Sequence, residues 1–395
     1  MVTAGIVAEY NPFHRGHAWH IAETRRALGG EAAVVCVMSG HWVQRGECAL
    51  ADKWRRAALA LDGGADLVLE LPTPWAMASA EAFARGAVSL LDAAGVVDVL
   101  SFGSETGELS PLQRAADCLD SDLYRAGLRR FLDEGRPFAA ARQAAVGGIL
   151  GDAGAAPLDS PNNNLGVEYL RALRALDSPI RPMTVPRQGA GHDGPAAGGY
   201  ASASELRKLL RAGRGAEAAP YLTAPWTGEA AEMGHIERAV LARLRTMDEA
   251  GWAALPDGGG AEGLPARLVK AAQRAEGLEA FYALAKTKRY PHARLRRLAL
   301  GAFLGLTAAG RPAAPPYVRV LGLGGRGRAL LRRMKEACPL PVVVKPAQAR
   351  ALDGPARVLF EAEARCTDLY GLCFPTPRPC GGEWTHSPVV REGAE

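Results

Sequence analysis

Two histidines near the N-terminus, His14 and His17, have the side chains and the spacing to bind a phosphate group. They follow an apolar run and an Asn-Pro turn, and Gly16 lies between them. At a helix start, residues three apart lie about one turn apart, beside unpaired backbone N–H groups that attract anions. Imidazole donates hydrogen bonds and, when protonated, neutralises charge on an α-phosphate. The spacing predicts cleavage of the α–β bond of a nucleoside triphosphate, with His14 and His17 as catalytic residues.

Two other interpretations of these histidines stay open. They are surface histidines of an ordinary loop, or they bind zinc, although no further ligand is evident at a convincing spacing. A second candidate zinc site has wider gaps than the usual zinc knuckles, and it consists of Cys366, Cys373, Cys380 and His386. We predict no metal-binding residue in the chain.

Alternating strands and helices position the two histidines. Apolar runs predict five strands, at residues 3–8, 33–38, 67–71, 97–102 and 180–185. Amphipathic segments between them imply right-handed crossovers and a parallel sheet, which binds ligands at the carboxyl ends of its strands. His14 and His17 follow the first strand, Ser39 follows the second and Gly103 the fourth. We therefore predict an α/β fold with a Rossmann-like parallel sheet.

The pattern becomes mainly helical beyond about residue 212. A chain of 395 residues is too long for one ordinary core. We predict an ATP-binding catalytic domain at residues 1–212, and a mainly helical, basic domain at 213–395 with a poorly assigned C-terminal segment. Within the latter, an apolar run at 317–321 precedes a glycine-rich turn at 322–327. This turn is either a second dinucleotide site or a tight structural turn, and the turn is favoured because no acidic residue follows about twenty positions later.

Charge is distributed unevenly along the chain. Residues 264–335 contain 16 Lys or Arg and 2 acidic residues, whereas the rest of the chain contains 31 basic and 40 acidic residues. This basic segment indicates a polyanionic partner or, alternatively, a solvated helix face. No apolar stretch is long enough for a membrane span, and nothing resembles a signal peptide. Seven cysteines suggest reduced thiols, so we expect a cytoplasmic protein without a membrane partner.

The string EYNPFHRGHAWH at residues 9–20 resembles that of the tRNA(Met) cytidine acetate ligase family, within the nucleotidylyltransferase superfamily. Similar blocks follow in the same order to about Pro346, and they are MSGHWVQRG (38–46), DKWRRA (52–57), LELP (69–72), FGSE (102–105), PNNNLG (161–166), SASELR (202–207) and TKRY (287–290). The resemblance implies a nucleotidylyltransferase-like first domain. It also implies that ATP activates acetate as acetyl adenylate, and that the acetyl group passes to the wobble cytidine of elongator tRNA(Met).

The resemblance also implies site residues. The ATP-binding residues would be Val7, Ala8, Glu9, Tyr10, Asn11, Pro12, Phe13, His14, Arg15, Gly16, His17, Ala18, Trp19, His20, Gly103, Asn162, Arg187, Ser204 and Arg207. The tRNA-binding residues would be Lys286, Lys288, Arg289, Arg294, Arg296 and Arg297. Magnesium is expected to accompany ATP.

Several roles stay open at this stage. Ser204 and Arg207 form a phosphate clamp or a plain helix cap. Asp52 and Lys53 serve substrate or magnesium, or Asp52 is an N-cap. Arg45 contacts acetate or RNA. Two other functions are compatible with the histidines: a small-molecule adenylyltransferase, which needs no basic second domain, and a nucleotide-dependent RNA-binding protein without catalysis.

Overall fold

Short strands and amphipathic helices alternate along the chain in this computed structural model, which describes residues 1–187, 199–259 and 263–392. The strands are β1 (Thr3–Ala8), β2 (Ala33–Ser39), β3 (Trp42–Val43), β4 (Glu47–Cys48), β5 (Leu67–Leu71), β6 (Val99–Ser104), β7 (Arg181–Pro186), β8 (Val318–Leu323), β9 (Val342–Val343) and β10 (Val389–Val390). The helices are α1 (Arg15–Ala27), α2 (Lys53–Asp62), α3 (Thr73–Ala76), α4 (Ala80–Ala93), α5 (Leu109–Asp120), α6 (Asp122–Asp133), α7 (Phe138–Ala155), α8 (Pro161–Ala175), α9 (Ala203–Arg211), α10 (Gly215–Ala218), α11 (Glu237–Arg245), α12 (Glu249–Ala253), α13 (Leu264–Arg274), α14 (Leu278–Ala285), α15 (His292–Leu304), α16 (Gly325–Ala337), α17 (Gly354–Tyr370) and α18 (Gly382–Thr385).

Five parallel strands form the centre of the protein in the spatial order β5-β2-β1-β6-β7. Every residue of β2 is buried, as expected for a central strand covered on both faces. The chain steps outwards from β1 in one direction through β2 and β5, and in the other through β6 and β7. A crevice therefore opens between the carboxyl ends of β1 and β6, the usual ligand site of such sheets. The predicted Rossmann-like α/β fold is confirmed.

The helical part of the chain has its own apolar core, which is built mainly from α11 to α15. Trp252 and Phe281 stack at its centre, with ring centroids 6.0 Å apart. The same core includes Trp42 and Cys48 from the β3–β4 hairpin. Between these strands, Gly46 has a φ of +72°, and a Cβ there would lie 2.6 Å from the backbone nitrogen of Arg297. Glycine thus lets α15 contact the hairpin, close to the carboxyl edge of the sheet.

The C-terminal segment, which the sequence left poorly assigned within the mainly helical residues 213–395, contributes strands to the central sheet. Strand β8 pairs antiparallel with β5, and β9 and β10 pair with β8. The segment therefore extends the α/β sheet and covers the edge of β5 that would otherwise be unpaired. Sequence periodicity indicated the strand at 317–321, but it contains no information about a partner about 250 residues earlier. The boundary near residue 212 stays a prediction.

The glycine-rich turn after β8 is structural, as the sequence favoured. Because β8 runs against β5, this turn lies at the amino ends of the parallel strands, at the sheet edge opposite His14. The N–H of Gly324 donates to the carbonyl of Asp66 at 2.8 Å. A Cβ at Gly327 would lie only 1.9 Å from the same carbonyl oxygen. Glycine therefore serves close packing here.

A buried ionic cluster joins the C-terminal segment to the sheet. Lys53 Nζ lies 2.6 Å from Glu70 Oε1 and also pairs with Glu383, whose other oxygen lies 3.3 Å from Arg319 Nε. All four side chains are at most 2% exposed. The neighbouring Asp52 caps α2 by accepting from the N–H of Arg55 at 2.8 Å. The cap interpretation of Asp52 is therefore confirmed, and Lys53 stabilises the fold away from the crevice.

None of the helices in the described part of the chain is both long and apolar enough to cross a membrane.

Candidate active site

A cavity of about 660 Å³ occupies the crevice between β1 and β6. Strand β1, the start of α1 and the end of β6 form its base, while α8, α9 and α15 form its walls. Fifteen of the predicted ATP-binding residues line it, and they are Val7, Ala8, Glu9, Tyr10, Asn11, His14, Gly16, His17, Trp19, His20, Gly103, Asn162, Arg187, Ser204 and Arg207. The fold thus brings together residues that are nearly 200 positions apart in the sequence.

The other four predicted ATP-binding residues, Pro12, Phe13, Arg15 and Ala18, are not among the residues that line this cavity. The Phe13 ring packs edge-on against Tyr10, with centroids 4.9 Å apart, and is 1% exposed. Arg15 is exposed to solvent. Neighbouring residues at a helix start point in different directions, so a contiguous motif contributes only part of its side chains to one cavity.

The hydrogen bonds of His14 and His17 fix which ring nitrogen is left for a ligand. His14 caps α1, and its Nδ1 accepts the N–H of Gly16 at 3.0 Å. In return, the N–H of His14 donates to Nδ1 of His17 at 3.3 Å. The rings stack with centroids 3.8 Å apart. Since a backbone N–H only donates, each Nδ1 is unprotonated, and a neutral ring has its proton on Nε2.

Burial keeps these imidazoles neutral in the free protein. Burial, assisted by the charges of Arg187 and Arg207, lowers the pKa of His14 to about 4. The pKa of His17 is lowered well below its usual value, again mainly by burial, and that of His20 falls to about 4. At neutral pH, His14 and His17 therefore act as hydrogen-bond donors through Nε2, and the positive charge of the cavity comes from its arginines.

These shifts predict a pH dependence of stability. A histidine whose folded pKa is depressed stabilises the fold above its unfolded pKa of about 6.5, and this contribution is lost as the pH falls towards 4. We expect the free energy of unfolding to fall between pH 6.5 and 4.5, with each such histidine contributing on the order of 1 kcal/mol per pH unit. The free energy of unfolding, measured with urea at several pH values, should fall less steeply with decreasing pH for a His14→Asn variant. An equal dependence on pH in the variant and the unmodified protein would contradict the assignment.

Ser204 and Arg207 form a clamp beside the histidines, separate from the helix cap. Ser202 is the N-cap of α9, and its side chain accepts the N–H of Glu205 at 3.2 Å. Arg207 donates to the carbonyl of Asn11 at 2.9 Å and to Ser204 Oγ at 3.2 Å. The guanidinium is therefore held against the loop that precedes α1, where it faces the same cavity as His14. This geometry favours the clamp.

Residues from other elements complete the lining, and sequence reasoning missed them. They are Ile6, Gln44, Ala78, Ser79, Ala80, Phe83, Phe102, Arg142, Pro161, Asn164, Leu165, Tyr169, Val185, Tyr200, Ala201, Ser202, Ala203 and Ala293. Arg297, which was predicted to bind tRNA, also lies in this lining. Asn164 accepts a hydrogen bond from Arg142 at 3.1 Å. Asn164 lies in the block 161–166, from which only Asn162 was predicted as a site residue. Arg45 also lines the cavity. This position is compatible with both of its predicted partners, acetate and RNA.

Comparison with known proteins places the chain in a family. Residues 1–381 match the model of the family described as HIGH Nucleotidyl Transferase. The tRNA(Met) cytidine acetate ligase of Syntrophotalea carbinolica is 40% identical over 405 residues, with 95% of each chain covered. That of Caldanaerobacter subterraneus subsp. tengcongensis is 36% identical, with 95% of this chain and 96% of the relative covered. The chain belongs to the tRNA(Met) cytidine acetate ligase family.

Solved structures of this family have the same fold over the whole chain. The crystal structure of Thermotoga maritima TmcAL bound with alpha-thio ATP is 30% identical, with a TM-score of 0.89 and full coverage of both chains. Its apo form gives a TM-score of 0.90. The resemblance inferred from the motifs is confirmed, and the match extends through the C-terminal segment, in which few motifs were found.

The six predicted tRNA-binding residues of this family member do not share one environment. Lys286, Lys288 and Arg289 are exposed in the segment between α14 and α15. Arg296 is partly exposed and lies 3.5 Å from Glu279. The other two lie further in: Arg294 donates to the carbonyl of Asp257 at 2.8 Å, and Arg297 lines the cavity.

The basic segment 264–335 is divided by the fold. Its last part forms α16, whose exposed arginines are Arg326, Arg328, Arg332 and Arg333. This helix begins at the sheet edge opposite the cavity, because β8 runs against the parallel strands. Only the part around α14 and α15 adjoins the cavity. The basic residues of the segment are therefore distributed over different surfaces of the protein.

No group of three or more His, Cys, Asp or Glu side chains in the described ranges is arranged to hold a metal ion. Cys366 and Cys373 are buried and Cys380 is exposed, so the candidate zinc residues do not form a site.

Proposed function

We propose that this protein activates acetate with ATP and acetylates the wobble cytidine of elongator tRNA(Met), releasing AMP and diphosphate and forming N4-acetylcytidine. The observation that carries this proposal is the cavity at the sheet crevice, where neutral imidazoles lie beside several arginines. It is supported by relatives named tRNA(Met) cytidine acetate ligase that match nearly the whole chain. We place the reaction in the cytoplasm.

In the first step, a carboxylate oxygen of acetate attacks the α-phosphorus of ATP in line with the leaving diphosphate. A carboxyl–phosphate bond forms while the α–β phosphoanhydride bond breaks. We assign His14 and His17 the catalytic role of donating from Nε2 to the oxygens on which charge develops. Arg187 and Arg207 would hold the phosphates, and Gly103 and Asn162 the adenosine. Positioning and charge stabilisation account for most of the catalysis in such a displacement.

Magnesium would accompany ATP as its counter-ion rather than occupy a protein site. Among the described residues that line the cavity, Glu9 is the single acidic one, and its carboxylate accepts the N–H of Gln44 at 2.8 Å. Magnesium prefers oxygen ligands and retains several waters, so the phosphates of ATP would be its main partners. When bound, the ion would add positive charge beside the phosphates.

In the second step, the exocyclic N4 of the cytidine attacks the acetyl carbonyl carbon. A carbon–nitrogen bond forms, the bond from the carbonyl carbon to the phosphate oxygen breaks, AMP leaves and the amine releases a proton. A base must leave its stack to enter a cavity of this kind. The exposed Lys286, Lys288 and Arg289, together with the partly exposed Arg296, would then contact the backbone phosphates beside it.

Acetate-dependent exchange between ATP and labelled diphosphate, measured without tRNA, tests the activation step. The proposal expects exchange that requires acetate. Exchange that requires another small acceptor instead of acetate would contradict the proposal and favour a small-molecule adenylyltransferase. The absence of any exchange would also contradict it and favour a non-catalytic RNA-binding protein.

Binding of tRNA should weaken steeply with salt. Each phosphate contact contributes about 0.7 to 0.9 to the slope of log affinity against log salt concentration. Arg296→Gln is expected to reduce that slope by about one, when affinity is measured between about 50 and 200 mM salt. Arg333→Gln on α16 is the matched control and should leave the slope unchanged. A salt-insensitive affinity would exclude an electrostatic tRNA surface.

A further inference from the structure

Arg297 differs in position from the exposed basic residues of its segment. It lies in the second turn of α15, and Ala293, four residues earlier on the same face, also lines the cavity. The close contact of the α15 backbone with Gly46 fixes this face of the helix against the β3–β4 hairpin. The helical part of the protein therefore completes the wall of the cavity that contains His14 and His17.

The guanidinium of Arg297 is poorly satisfied by the protein itself. Its Nε is buried and has no hydrogen-bond partner within the described ranges. Asp257 acts on it electrostatically, but that carboxylate pairs with Arg311 at 3.5 Å. Arg294 and Arg311 are close enough to lower the pKa of Arg297, together with burial, which has the larger effect. A buried cation beside two others destabilises a fold unless an anion approaches it.

Such an unsatisfied donor in a cavity is typical of a ligand-binding group rather than of a structural one. A planar guanidinium binds carboxylate and phosphate oxygens with two parallel hydrogen bonds, and both groups belong to the activation step. We propose that Arg297 binds an anionic oxygen of that step, on the carboxylate of acetate or on a phosphate of ATP. This inference rests on the proposed function, and it assigns Arg297 to acetate activation instead of to tRNA binding.

The test is acetate-dependent ATP–diphosphate exchange without tRNA, in which a residue that serves only tRNA has no effect. Arg297→Gln is expected to lower kcat/KM about 10- to 100-fold, because a charged hydrogen bond is lost. A raised KM for acetate identifies the carboxylate as the bound group, and a raised KM for ATP identifies a phosphate. Arg297→Lys keeps the charge without the planar fork, so it should recover only part of the activity. Arg238→Gln on α11 is the matched control, since Arg238 is exposed in the same helical part.

Thermal unfolding separates this role from a structural one. Because Arg297 lies near Arg294 and Arg311, Arg297→Gln should melt at the same temperature as the unmodified protein or higher. Exchange within twofold of the unmodified protein, together with weaker tRNA binding, would overturn the inference and return Arg297 to the tRNA surface. A large loss of melting temperature would also overturn it, in favour of a structural role. If the unmodified protein shows no acetate-dependent exchange, the proposed function fails first. Direct ATP titration then decides the inference, which is supported if Arg297→Gln binds ATP more weakly and overturned if it does not.

Discussion

Replacement of His17 by alanine is expected to lower the rate of acetate-dependent ATP–diphosphate exchange by about two to three orders of magnitude. The neutral ring is held in place by the N–H of His14 at Nδ1, and it stacks on the His14 ring. We propose that its Nε2–H is thereby preorganised to donate to a phosphate oxygen. Such a donor stabilises the transition state more than bound ATP, so the loss should appear mainly in kcat.

The control for this variant is His235→Ala, because His235 is exposed in the helical part of the chain. Exchange rate and ATP affinity are measured for both variants. A His17→Ala protein that exchanges at the rate of the His235→Ala protein would show that the histidine is not catalytic. A loss confined to ATP affinity would assign His17 to ground-state binding only.

Replacement of Lys53 by methionine should lower the free energy of unfolding by about 3–5 kcal/mol. Lys53 is completely buried and pairs with both Glu70 and Glu383. Without it, these carboxylates would share Arg319 as their buried cation. Burial already raises the pKa of Glu70, and removing Lys53 would raise it further. A carboxyl group whose pKa is raised in the folded protein stabilises the fold less as the pH rises. The loss of unfolding free energy caused by Lys53→Met should therefore be larger at pH 8 than at pH 6.

Urea unfolding at both pH values measures this effect. Arg326→Met is the matched control, because Arg326 forms an exposed pair with Glu31 at 3.2 Å, and such pairs contribute about 0–1 kcal/mol. Adding Glu383→Gln to Lys53→Met should restore part of the loss, since one uncompensated carboxylate is removed. Equal stability of the Lys53→Met and Arg326→Met proteins would show that the cluster does not hold the C-terminal segment to the sheet.

The central sheet and the position of the histidines could be predicted from the sequence because their signals are local. Continuous apolar runs identify buried parallel strands, and β1 and β5 begin and end where the sequence predicted. An Asn-Pro turn before His14 places the histidines at the carboxyl end of β1. Parallel strands then bring distant motifs to one edge of the sheet, so Gly103 and Ser204 reach the same cavity.

Features that depend on long-range pairing could not be predicted in this way. The apolar run at 317–321 predicts a strand, but β8 pairs with β5 through contacts that no periodicity encodes. The sequence gives no sign that Lys53 is a structural residue, because its buried partner Glu383 is 330 residues away. Arg297 has the same local sequence character as Arg296, but in the folded protein Arg297 lines the cavity whereas Arg296 pairs with Glu279.

The central claim is acetate activation followed by transfer to tRNA, and nucleoside analysis of reacted tRNA tests it most directly. Purified protein is incubated with ATP, isotopically labelled acetate and elongator methionine tRNA, and the tRNA is then digested to nucleosides. The account predicts N4-acetylcytidine that contains the labelled acetyl group, at the wobble position, only when ATP and acetate are both present. Absence of this nucleoside with active, folded protein would contradict the account.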